Sequence, residues 1–286
     1  MSNPNLGNTT PPQGGLDARP SAGINKAQWT PARRGLVAAG AAIIALTWLY
    51  LVIARPTDWE NVTGSTSAII TLVGYGIGTI CLLIATIPVL PARTLGLIPI
   101  AMIINSVVGE IVGSIGIPLY LDSIGTVLVA ALAGPIAGMT TGALNNVVWG
   151  LLNPAALPFA AGAALIGYLS GEFIHRFNAF KNVGFVVLFG ILLGLVGGMV
   201  AAPVAAFVYG GTAGVGTGAI VSLFREMGNS LLQAVTFQAF ISDPLDKVIV
   251  MLIAWGVVKA LPRRTVDAFA PAAGPGAAGA STAANK

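Results

Sequence analysis

An all-α, polytopic membrane protein is the fold class the sequence predicts, and three observations predict it. Only 8% of the 286 residues are charged, against roughly a quarter in an ordinary soluble domain, while 55% are hydrophobic and the mean hydropathy is +0.85. A soluble chain could not cover its surface at that composition. The charges are also unevenly placed. None occurs from Ser123 to Gly171, a run of 49 residues, or from Asn182 to Phe224, a run of 43. A membrane span needs about 20 apolar residues, so each run holds two spans or more. Neither run alternates in polarity at every second residue, which excludes the transmembrane β-barrel pattern.

The elements follow in order. Residues 1–32, rich in Pro, Gly, Asn and Thr, read as a disordered tail, and their lack of an apolar segment excludes a signal peptide. The first span covers 35–54, between Arg33-Arg34 and Arg55. A polar loop with Asp58, Trp59 and Glu60 leads to a second span over 66–90, closed by Pro91 and Arg93. The third covers 95–115. A short connection, 118–122, precedes a short fourth span over 123–133. Gly134-Pro135 breaks the chain, with Pro135 suited to the first turn of a fifth span that reaches Leu152. Asn153-Pro154 and Pro158 break it again before a sixth span ending near Glu172. A basic loop (His175, Arg176, Lys181) leads to the seventh, over 183–209. Residues 210–243 read as an outer-side loop or a partly inserted helix. The last span, 245–261, starts with Asp243 as N-cap and Pro244 in the first turn, and ends at Pro262-Arg263-Arg264. Residues 265–286, with Ala/Gly/Pro/Ser low complexity from Ala270, read as a second disordered tail.

Basic residues set the expected orientation. With eight spans and both ends cytoplasmic, Arg19, Lys26, Arg33, Arg34, Arg93, Arg176, Lys181, Lys259, Arg263, Arg264 and Lys286 lie inside. Only Arg55, Arg225 and Lys247 lie outside. Topology thereby accounts for the net charge of +4 without invoking nucleic acid.

Composition also removes classes of chemistry. One cysteine, Cys81, permits no intrachain disulfide or thiolate metal site, and one histidine, His175, permits no histidine cage. No Gly-Lys pair exists, so the phosphate-binding loop of ATPases is absent. No nucleophile and base pair up convincingly, and the chain is expected to be neither an enzyme nor a cofactor carrier.

Glycines recur at four-residue intervals at 134/138/142, 190/194/198 and 109/113. Such stripes let helices approach closely in lipid, within one chain or against a partner, and both uses need the same small residues. Polar groups at membrane depth also ask for a reason. Glu110 reads as helix-gluing or as a ligand or partner contact, on a different face from Asn105. Asn146 and Trp149, three apart, share a face, as an interfacial tryptophan beside a gluing amide or as a planar ligand's partners. Glu172 and His175 read as a solvated helix end. The polar residues gather on the outer side. The candidate ligand contacts are Tyr120, Asp122, Asn146, Trp149, Asn153, Arg225, Glu226, Asn229, Gln233 and Lys247, with Gln238 and Asp246 nearby.

The passage Ile117-Pro-Leu-Tyr-Leu-Asp-Ser-Ile-Gly-Thr126, followed by Ala-Gly-Pro-Ile-Ala-Gly138, Gly142 and Asn145-Asn146, resembles the substrate-binding (S) components of energy-coupling factor transporters. The segment Asp243-Pro-Leu-Asp-Lys-Val-Ile-Val, running on to Leu261-Pro262, is similar to that family's last helix. The resemblance covers about 95–264. It implies a six-helix core over 94–264, preceded by two extra N-terminal transmembrane helices over 33–93. It also implies a plasma-membrane protein that captures a vitamin, base or nucleoside from outside. Delivery would come by toppling against a transmembrane coupling protein driven by two cytoplasmic ATPases. The family docks its coupling protein through small residues on the first core helix, which here read Ala101, Asn105, Gly109 and Gly113. Similar modules serve as sensory domains, so a ligand-sensing or assembly module without transport is the alternative.

Overall fold

The structure, a computed structural model, describes residues 29–56, 65–211 and 214–271. Ten α-helices order them: α1 (Pro31–Ala54), α2 (Thr66–Thr86), α3 (Ala92–Ser114), α4 (Ile124–Ala133), α5 (Pro135–Trp149), α6 (Ala160–His175), α7 (Val183–Val208), α8 (Val215–Glu226), α9 (Leu231–Ala260) and α10 (Arg263–Phe269). Among the described residues there is no strand. Five helical segments are long and apolar enough to cross a membrane: Pro31–Ala54, Thr66–Val89, Ala92–Ser114, Pro154–His175 and Val183–Val208. Their outer faces are greasy, with Ile53, Ile103 and Ile115 well exposed. That inversion is what a lipid-facing surface requires, and the architecture is that of a polytopic helical membrane protein.

Local chemistry starts and stops these helices where orphan backbone groups need partners. Thr30 caps α1 at Arg33 N (3.3 Å), Ser65 caps α2 at Ala68 N (3.2 Å) and Asn182 caps α7 at Phe185 N (3.0 Å). Gly134 turns the chain between α4 and α5 at φ +95°, a conformation open to glycine, and Pro135 starts α5.

Most of the stripe glycines pack against other parts of the chain. On α5, Gly138 lies against Gly167 and Gly142 against Ala163 of α6, too close for even a methyl group. On α7, Gly190 lies against Val248, and Gly194 against Asp243 and Pro244 of α9. α1 and α2 close on each other at Gly40 and Gly78, and they are bound to the bundle rather than appended to it. Trp48 Nε1 donates to the Val200 carbonyl (3.0 Å), the fully buried Tyr75 hydroxyl to that of Pro158 (3.2 Å), and Thr86 meets Thr140 at 3.0 Å.

Several boundaries differ from expectation. The helix that holds the last expected span, α9, begins at Leu231, not near 245, and runs unbroken through Pro244. Asp243 is therefore no N-cap. Ser230 is, in a capping box with Gln233 that starts the helix earlier, while Gly194 of α7 receives the chain at Asp243 and Pro244. The segment 210–243, expected as an outer-side loop or a partly inserted helix, is helical for the most part, holding α8 and the first turns of α9. Trp29 is buried against Ala85 and Val89, so the expected N-terminal tail is structured from there. The expected C-terminal tail opens within α10, whose Phe269 carbonyl accepts from Thr94 Oγ1 at 2.6 Å. His175 is not simply a solvated end, because its Nε2 lies 2.9 Å from the Ala130 carbonyl. Glu172 does pair with exposed Arg176, at 3.8 Å. The rest of both tails and the loop carrying Asp58, Trp59 and Glu60 lie outside the described residues.

Candidate functional site

Helix α4 presents a buried N-terminus, and its orphan amides have to be satisfied within the protein. The N-cap residue Ser123 makes no side-chain cap bond. Asn105 of α3 performs the task from across the bundle. Its Oδ1 accepts from Gly125 N (2.7 Å) and Thr126 N (3.4 Å), and its Nδ2 donates to Thr126 Oγ1 (2.8 Å). Gly125 in turn lies against the Ala101 backbone with no space for a side chain.

Ser123 is thereby free to accept from Lys247 Nζ at 3.0 Å. That ammonium also sits 2.6 Å from Asp246 Oδ2 and 3.5 Å from Asp122 Oδ1. Asp246, fully buried, uses its other oxygen to accept from Tyr120 N (2.8 Å) and Leu121 N (2.7 Å). This holds the α3–α4 connection where Leu121 takes φ +49°, a left-handed conformation that costs a branched residue energy. The pair is buried yet each partner is hydrogen-bonded, the condition under which buried charges persist.

Beside this clamp a cavity of 240 Å³ opens between α3, α5, α6, α7 and α9. Asn105, Thr126, Gln238, Asp243 and Lys247 line it, with Gly197 and Ala201 of α7 forming a smooth wall. Tyr120, Trp149 and Phe159 contribute aromatic faces, and Phe159 is itself stacked on Tyr209 with centroids 5.6 Å apart. Glu110 and Asn153 also line it and are joined by a bond from Asn153 Nδ2 to Glu110 Oε1 (2.9 Å). Burial, with Asp243 and Asp122 nearby, pushes the Tyr120 phenol well above its usual pKa, so it stays a neutral hydroxyl. Two lining groups are buried without a partner among the described residues, Gln238 Nε2 and Asn145 Oδ1.

The expected ligand contacts divide cleanly. Tyr120, Asp122, Asn146, Trp149, Asn153 and Lys247 line the cavity. Asn146 is partly occupied, since its Nδ2 donates to the Ala156 carbonyl (2.9 Å). Arg225, Glu226, Asn229 and Gln233 are not among its lining residues. They belong to the α8–α9 turn, where polar side chains serve their own backbone. Arg225 Nη1 donates to the Asn229 carbonyl (3.0 Å), Asn229 Nδ2 to that of Phe224 (3.0 Å), and Gln233 Oε1 accepts from Ser230 N (2.9 Å). The expected docking stripe is largely covered by the chain itself: Ala101 and Asn105 are fully buried, and Gly109 lies against Asp122. Gly113 alone of that stripe has open space before it among the described residues.

Asp243 and Asn145 also line the cavity and were not among the expected ligand contacts. Their signal was periodic: Gln238, Ser242 and Asp246 recur at four-residue spacing, with Asp243 and Lys247 alongside, a polar face continuing straight through Pro244. Among the described residues, no group of three or more His, Cys, Asp or Glu is arranged to hold a metal ion. No family model, curated protein or solved structure matches the chain.

Proposed function

We propose that this chain is a membrane-embedded binding subunit that captures a small water-soluble molecule from outside the cell and hands it to partner proteins. The observation that supports it most directly is the cavity floor. Two buried atoms there, Gln238 Nε2 and Asn145 Oδ1, lack partners among the described residues, in a bundle whose other polar side chains are mostly bonded. A buried polar group without a bond costs about 1–3 kcal/mol, and a bound polar ligand or water removes that cost. The resemblance to S components of energy-coupling factor transporters supports the same reading. It adds eight spans, cytoplasmic ends, a six-helix core over 94–264 and delivery by toppling against a coupling protein driven by two ATPases. Part of the cavity's lining lies towards the ends of α3 and α5 and around the α3–α4 connection, which the count of basic residues assigns to the outer side.

The test is uptake by proteoliposomes holding the chain with its coupling protein and both ATPases. Uptake is expected to need ATP and every component, and uptake that persists without an ATPase would end the proposal. A second reading, a sensing or assembly module without transport, draws on one specific observation: three of the four residues expected to dock a coupling protein, Ala101, Asn105 and Gly109, are covered by the chain's own α4 and α3–α4 connection. Saturable binding without uptake under any reconstitution would favour it.

A further inference from the structure

The charge of the cavity narrows what it accepts, an inference that rests on the capture reading above. Among the described lining residues Lys247 is the one basic side chain, against Glu110, Asp122 and Asp243. Its ammonium is already committed to Asp246, Ser123 and Asp122, which supply acceptors for its three protons. Asp246, the closest of these, has both oxygens engaged. Nothing basic is left over to meet an incoming carboxylate or phosphate.

Asp243 is in the opposite position. It is 7% exposed and lines the cavity, with its Oδ2 close to Gly198, and no hydrogen bond reaches its carboxylate from the described residues. A carboxylate largely withdrawn from water, whose nearest cation, Lys247, is already held by Asp246 and Asp122, is expensive, and a cationic ligand lowers that expense. Independently, Asn145 Oδ1 is a buried acceptor with no donor, and Gln238 Nε2 a buried donor with no acceptor. The first suits an N–H of the ligand and the second a ring nitrogen or carbonyl. The faces of Tyr120, Trp149 and Phe159 carry negative quadrupoles that attract cations.

We propose that the cavity binds a small organic ammonium ion, with Asp243 as its counter-ion, and excludes anions of similar size. The experiment uses the full chain in a non-ionic detergent and three probes of one shape: benzylammonium, benzyl alcohol and benzoate at pH 7. Equilibrium binding is expected to favour benzylammonium at least tenfold over benzyl alcohol, with no saturable binding of benzoate. Asp243→Asn should erase that preference, while Glu226→Gln, outside the cavity, should leave it unchanged. Native mass spectrometry of the unmutated chain adds a readout independent of any variant's folding, and a retained compound should carry positive charge. Benzoate binding as tightly as benzylammonium, a retained anion, or an unchanged preference in folded Asp243→Asn would overturn the cation while leaving capture intact. No retained molecule together with no saturable binding of any probe would overturn both.

Discussion

The α5–α6 contact and the α3–α4–α9 contact solve the same problem with opposite materials. Both join helices in a solvent where leucine gains little by leaving the lipid tails. The first is dry and close, made where Gly138 and Gly142 remove side chains until backbones touch. The second is polar and charged, made by Asn105 satisfying the first amides of α4 while Ser123 and Asp246 hold Lys247 beside that helix end. A close-packed seam fails by degrees as volume is added, whereas a polar clamp fails abruptly because removing one member strands the others. The clamp also has a by-product the seam lacks. Holding polar groups at depth leaves a polar wall beside them, and the cavity lies along that wall.

Substitutions can break the comparison. Lys247→Met strands Asp246 and should cost about 3–5 kcal/mol of stability, read as a lowered midpoint in detergent unfolding. The double change Lys247→Met with Asp246→Leu should recover part of it. It cannot recover all, because the Tyr120 and Leu121 amides also depend on Asp246. Asn105→Ala leaves the buried amide of Gly125 without a partner and should cost about 3 kcal/mol. Gly142→Val, on the seam, should cost about 1–3 kcal/mol by overpacking. Equal losses at Gly142 and Lys247 would remove the distinction between the two contacts. Trp149→Ala should leave unfolding unchanged but weaken ligand binding by about 1–2 kcal/mol, measurable by titration of a retained ligand. Gln233→Ala, outside both contacts, should lose only about 0.5–1 kcal/mol of capping stability and no affinity.

Much of the helix order was legible because apolar runs and Gly-Pro breaks mark the ends of α1 to α7 without help from tertiary structure. The reading failed at Pro244, where the local rule and the packed bundle disagree. An Asp-Pro pair is a favourable helix start, but the capping box at Ser230 and Gln233 had already begun one. Only the contact with Gly194 shows why the chain tolerates proline there. Trp149, Asn146 and Lys247, expected together on the outer side, do line one cavity. Arg225, Asn229 and Gln233, expected beside them, do not, and their side chains close on carbonyls and amides a few residues away. Polarity alone does not separate a residue facing a cavity from one fastening its own turn.

Helix α9 carries one more consequence. Its 30 residues make a rod about 45 Å long, and the cavity meets it near the middle, at Asp243 and Lys247. Beyond that point lie some four turns ending where Trp255 Nε1 holds the Phe180 carbonyl at 3.1 Å and Lys259 rides over the Trp255 ring. A swing of about 5° about Lys247 would carry that far end about 2 Å sideways. A ligand at Asp243, as proposed above, would therefore sit midway along a rod whose far end lies beside the α6–α7 turn.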